Sequence, residues 1–72
     1  MKNLKEEIEN ACCAINPHVR VQTLTVPSGT RCVTLDVRGL DVSEVHAVHY
    51  AAVNVIERCI PSSNRWSLVV TK

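Results

Sequence analysis

The stretch LDVSEVHAVHYAAVNVIERCIP, Leu40 to Pro61, carries a helix start at one end and a helix stop at the other. Asp41 is placed to act as N-cap, and Glu44 three residues later completes a capping box. Leu40 before the cap and Val45 at the fourth helical position make a hydrophobic staple. Gly39 lets the chain turn sharply into the helix. Pro61 cannot continue a helix and biases Ile60 away from helical dihedrals. Ser62, Ser63 and Asn64 then form a loop.

At about 100° per residue, Val42, Val45, Val48, Ala52, Val55, Ile56, Cys59 and Ile60 fall on one broad face, with Val53 at its edge. Ser43, Asn54, Glu57 and Arg58 fall opposite. Valine is a weak helix former, so packing must hold this helix. His49 lies inside the apolar arc and His46 at its margin, which predicts a packed histidine at the core edge and a surface one. Ala47, Tyr50, Ala51 and Asn54 form a low-charge patch on the outer side. It is a secondary interface candidate, and the first helix is the neighbour expected to cover it.

Outward from this helix, the elements are short. Leu4 to Ile15 reads as a first helix, with Asn3 as cap and Leu4, Ile8, Ala11, Cys12 and Ile15 on one face. Asn16-Pro17 stops it. A strand from His18 to Val26 follows. Val19 and Val21 share one parity while Leu24 and Val26 have the other, so a bulge near Gln22-Thr23 is expected to bring all four to the core. Pro27 to Thr30 is a turn, with Gly29 available for positive φ. Val33, Leu35 and Val37 then alternate cleanly with polar residues. After the central helix, a last strand from Arg65 to Thr71 puts Trp66, Leu68 and Val70 on its inner face.

The predicted fold is therefore a single α+β domain over residues 1–72, in the order α-β-β-α-β. It is a two-layer fold with both helices on one sheet face and the other face open. The first two strands form a hairpin, and the central helix crosses from the second strand to the third. Inserting the first strand between the other two gives the spatial order 2-1-3 and a mainly antiparallel sheet. The order of elements resembles that of type II KH modules in topology only. The Gly-x-x-Gly loop those modules carry is absent, and their function is not carried over.

Seventy-two residues, 46% hydrophobic and 21% charged, describe a globular chain. A domain this short buries only about 60% of its unfolded surface, and a homodimer is one remedy. No apolar run reaches the roughly 20 residues of a membrane span. The start lacks the apolar segment of a signal peptide, and the chain reads as cytoplasmic. A net charge of +1, with no Phe, one Tyr and one Trp, weighs against nonspecific nucleic-acid binding and against a base-stacking platform.

The four cysteines have no Cys-x-x-Cys spacing, and a reducing compartment disfavours disulfides. Cys12 and Cys59 fall on apolar helix faces and are expected in the core. Cys13 and Cys32 point outward. His46-x-x-His49 could bring two imidazoles to one metal, but two ligands are not a site, and a third would have to come from elsewhere, such as His18. No metal, no cofactor and no enzymatic activity are expected. Glycine is too scarce for a phosphate loop, and no nucleophile–base pair can be argued.

The open sheet face is the main candidate surface. Arg20, Gln22, Thr34, Asp36, Arg38 and Arg65 are assigned to it, with Trp66 as an anchor where the last strand begins. The leading functional expectation is a stand-alone protein-interaction module that acts by stoichiometric binding. A small regulator or inhibitor, of the kind phages and mobile elements encode, fits that description. Its protein partner is not identified by any motif. The alternative is a nucleic-acid-binding or transcription-related module that uses the arginine-bearing face.

Overall fold

The computed structural model describes residues 3–62 and 64–71, so Met1, Lys2, Ser63 of the loop after the central helix, and Lys72 lie outside the described residues. The elements are α1 (Leu4–Cys13), β1 (Arg20–Thr25), β2 (Arg31–Asp36), α2 (Val42–Cys59) and β3 (Trp66–Thr71), as the hydrophobic pattern implied. The capping box of α2 is formed. The Glu44 N–H donates to Asp41 Oδ1 at 2.8 Å, and the Asp41 N–H donates to Glu44 Oε1 at 3.3 Å. Asn3 caps α1 in the same manner, its Oδ1 accepting the Glu6 N–H at 2.8 Å. Gly39 enters the α2 turn with φ +91°, and Gly29 closes the hairpin turn with φ +94°. Both lie in the left-handed region that a side chain disfavours.

The sheet order is β1-β2-β3 rather than 2-1-3. β1 and β2 form the expected antiparallel hairpin, with Val21 opposite Leu35 and Thr23 opposite Val33. β2 and β3 are direct neighbours and run parallel, with Val33 beside Leu68 and Leu35 beside Val70. The sheet is therefore mixed. The physical reason lies in how much apolar surface each strand can bury. β2 presents Val33, Leu35 and Val37 inward, all buried, whereas β1 with its leading residue presents only Val19 and Val21. The strand with the strongest inner face takes the centre, and the single-helix crossover sets β3 parallel beside it.

The expected bulge in β1 is also absent. Its register with β2 is continuous from Arg20 opposite Asp36 to Thr25 opposite Arg31. Leu24 consequently faces away from the helices and is 65% exposed. Both helices contribute to one core: Ile8 and Cys12 of α1 meet Val48, Ala52, Val55 and Ile56 of α2 and the inner side chains of β1 and β2. Each fully buried Val, Leu or Ile contributes about 1.5–3 kcal/mol. No polar or charged side chain is buried among the described residues. Asn16 fastens the two helices, its Nδ2 donating to Glu44 Oε2 at 3.1 Å while its Oδ1 accepts the His18 N–H at 2.8 Å. No helix among the described residues is long and apolar enough to cross a membrane.

Candidate functional site

The ladder registers arrange the uncovered sheet face as three rows of three. Leu24, Cys32 and Ser67 form the row nearest the β1–β2 turn. Gln22, Thr34 and Val69 form the middle row, and Arg20, Asp36 and Thr71 the far row. Side chains on alternate strand positions share a face, so these nine point away from the helices. Arg20, Gln22, Thr34 and Asp36 thus stand on one surface as the alternation predicts. Leu24, Cys32, Ser67, Val69 and Thr71 complete it. Leu24 and Val69 matter most, being 65% and 54% exposed. The parity slip at Leu24 was visible in the sequence, and an uninterrupted strand would have placed it here.

The arginines do not cluster. Arg38 lies in the turn after β2, where its Nη2 donates to Asp36 Oδ2 at 2.7 Å and its Nε to Asp36 Oδ1 at 3.0 Å. The Arg38 side-chain hydrogen bonds, helped by the Arg38 backbone N–H and by the nearby charge of Arg20, hold the Asp36 carboxyl below the usual carboxylate range. Arg65 is at the opposite end of the sheet, in a crevice with Ser28, Gly29, Thr30 and Asn64, and its carbonyl accepts the Arg31 N–H at 3.1 Å. From Thr30 to Asp36 is about 20 Å of strand, which separates Arg65 from the other two. Trp66 has the parity of Leu68 and Val70. It is half-buried against the core on the helix side, not on the open face.

The outer surface of α2 differs from the wheel in two respects. α1 docks along the Glu44–Val48 side, where Cys12 Sγ lies 3.8 Å from the Val48 carbonyl. Of Ala47, Tyr50, Ala51 and Asn54, only Ala51 is half-buried; the other three are exposed, so α1 does not cover this patch. The buried arc is rotated toward α1 accordingly, and the opposite flank hangs free. His46 and His49 are both exposed there, which removes the core-edge role expected of His49. Val42 on the same flank is 74% exposed. Val45, His46, His49 and Tyr50 line an open groove of about 390 Å³ with Val70 of β3. It continues past Val45 and His46 toward Leu40 and Gly39.

Among the described residues no three His, Cys, Asp or Glu side chains converge as metal ligands, so His18 does not join the histidine pair. The four cysteines are free. Cys12 is buried, and that burial pushes its thiol up to about 11, with Cys13 adding to the rise. Cys59 is exposed, against expectation. α2 ends at this residue, and Ile60, in extended conformation, turns into the core in its place. Comparison of the chain with protein-family models, with curated proteins and with solved structures finds no match.

Proposed function

We propose that this chain is a small protein-binding module that acts stoichiometrically, as a regulator or inhibitor, and that its open sheet face is the docking surface. The observation that carries this reading is the pair of exposed aliphatic side chains, Leu24 and Val69, among uncharged sheet positions. Gln22, Cys32, Thr34 and Ser67 surround them, the sheet's own charges on this face, Arg20 and Asp36, are confined to the far row, and Lys5 of α1 stands at the β1 rim beside Leu24. A centre depleted of charge with a polar rim is the pattern of a protein interface. Nucleic-acid binding needs several arginines free and together. Here Arg38 is engaged by Asp36 and Arg65 is at the other end of the sheet, so that reading has less support.

A tagged chain recovered from its native cell tests the proposal. One protein in 1:1 ratio, lost when Leu24 and Val69 are both changed to Glu and kept when Ala47 is changed to Glu, is the expected result. Retention of that protein by the double variant would remove the open face from consideration. A salt-dependent DNA or RNA shift, abolished by changing Arg20, Arg38 and Arg65 to Ala, would replace the proposal with the nucleic-acid reading.

A further inference from the structure

β3 is the last strand on its side of the sheet, and its free edge faces the groove under α2. The bonds that hold it to β2 run from the Arg31 N–H to the Arg65 carbonyl at 3.1 Å and from the Val37 N–H to the Thr71 carbonyl at 3.0 Å. In a parallel ladder this fixes which residues point where. Arg65, Ser67, Val69 and Thr71 direct their backbone polar groups at β2. Trp66, Leu68 and Val70 direct theirs outward, and no other described element pairs with them. Exposed edges are commonly blunted by a lysine, a proline or a bulge within the strand. WSLVVT, Trp66 to Thr71, contains no charged residue and no proline.

We infer that β3 pairs with β3 of a second copy of this chain, antiparallel and centred on Leu68, so that two three-stranded sheets become one of six strands. In this register Trp66 lies opposite Val70 of the second copy, Leu68 opposite Leu68, and Val70 opposite Trp66. All three outward N–H groups and all three outward carbonyls then find partners on each chain.

Three features select a second copy over a foreign strand. The first is symmetry. A two-fold axis perpendicular to the sheet keeps all four helices on one side, so the α2 flank meets its own copy. Strands are about 4.8 Å apart, so a helix over β2 and β3 lies about 5 Å from that axis, and about 10 Å between the two axes is an ordinary helix packing distance. A lone peptide strand would leave the groove on the α2 flank unfilled. The second is charge. Val42, Val45, His46, His49, Tyr50 and Val53 line the flank without a formal charge, and Glu57, toward the C-terminal end of α2, is the one charged residue on the same arc. Self-pairing sets like against like near the axis, and formal charges there would repel. Arg65, just ahead of the strand, meets Thr71 of the copy rather than another arginine. The third is incomplete burial. Val33 and Leu35 of β2 are fully buried, yet Trp66, Leu68 and Val70, which face the same way, are only half-buried. Tyr50 is 72% exposed beside them. The second copy covers all four.

This inference is independent of the open-face proposal, since that face stays free in the six-stranded sheet and the variants that test it lie elsewhere. Light scattering after size-exclusion chromatography should give twice the 8.0 kDa chain mass. Tyr50→Glu, an exposed helix position, should weaken the dimer roughly tenfold or more by placing paired like charges in the seam. Thr23→Lys, on the β1 edge, should leave it unchanged. Hydrogen exchange read by NMR should show the Trp66, Leu68 and Val70 amides protected in concentrated solution and exposed on dilution. A chain that stays monomeric across the concentration range would overturn the inference. So would a dimer indifferent to Tyr50→Glu, or one that Thr23→Lys dissociates. Protection of those three amides only on adding an extended peptide to a monomeric chain would assign the edge to a foreign strand instead.

Discussion

β1 and β3 both border the sheet, but they are finished differently. α1 packs against β1, and Lys5 of α1 lines one crevice with Thr23 and Leu24. The outward backbone groups of β1 belong to Val21, Thr23 and Thr25, beside a helix and a lysine. β3 has α2 alone above it, with an open groove at its rim lined by Val45, His46, His49 and Tyr50, none of them a lysine, arginine or carboxylate. The hydrogen-bonding capacity of the two edges is the same. What differs is whether another element and a charge stand beside it, and that decides which edge is available for pairing.

The largest expected effect comes from comparing the central strand with the bare one. Leu35→Ala, at a fully buried site, should lower stability by about 2–5 kcal/mol in urea denaturation. Leu68→Ala in dilute solution should cost about 1 kcal/mol, because only part of that side chain is removed from water. The Leu68 penalty should grow with protein concentration as the second copy covers the edge, whereas the Leu35 penalty should not. Equal, concentration-independent losses at the two sites would erase the distinction between centre and edge.

A smaller effect concerns the tie that seats α1 and so protects β1. Glu44 closes the capping box of α2 and accepts from Asn16 after α1. Glu44→Ala should cost about 1–2 kcal/mol, the sum of a cap contribution and one charge-assisted hydrogen bond. Asn16→Ala should keep the cap and lose the second part, together with the bond that Asn16 Oδ1 accepts from the His18 N–H. Hydrogen exchange at Gln22 and Leu24, whose amides face β2, should accelerate in both variants while that at Val69 of β3 is unaffected, which would localise the tie to the β1 side.

The helices were readable because their signals are local. Asp41, Glu44 and Pro61 lie within one stretch of chain, and the observed caps are the ones they imply. The alternation in β2 was equally plain. Strand order was not, since it depends on which strand buries the most, a comparison between distant segments. The misplaced bulge in β1 followed from assuming that Leu24 must be inside. It sits instead on the open face, where it became part of the candidate surface. His49 and Cys59 show a related limit. A helical wheel gives the apolar arc but not which part of it neighbours reach. α1 took the Val48 side, and α2 stopped at Cys59. Asn16 was legible as a stop signal, while its bond to Glu44 depended on how the helices pack.

The smallest effect tests the far row of the open face. Asp36 is held below the usual carboxylate range chiefly by its Arg38 hydrogen bonds, and Arg38 is raised in turn. A carboxyl depressed in the folded state contributes stability above its unfolded pKa and loses it as pH falls through the folded value. The pair is solvent-facing, so the contribution is slight and appears only in acid, below the normal titration of aspartate. Following the Asp36 carboxyl carbon by NMR should place its midpoint below the usual aspartate range, and Arg38→Ala should move it up. The β3 edge carries no carboxylate between Trp66 and Thr71, so its amides should not respond over the same range. A midpoint for Asp36 that ignores Arg38→Ala would mean that the ion pair does not persist in solution, and Arg38 would then be a free cation beside Arg20.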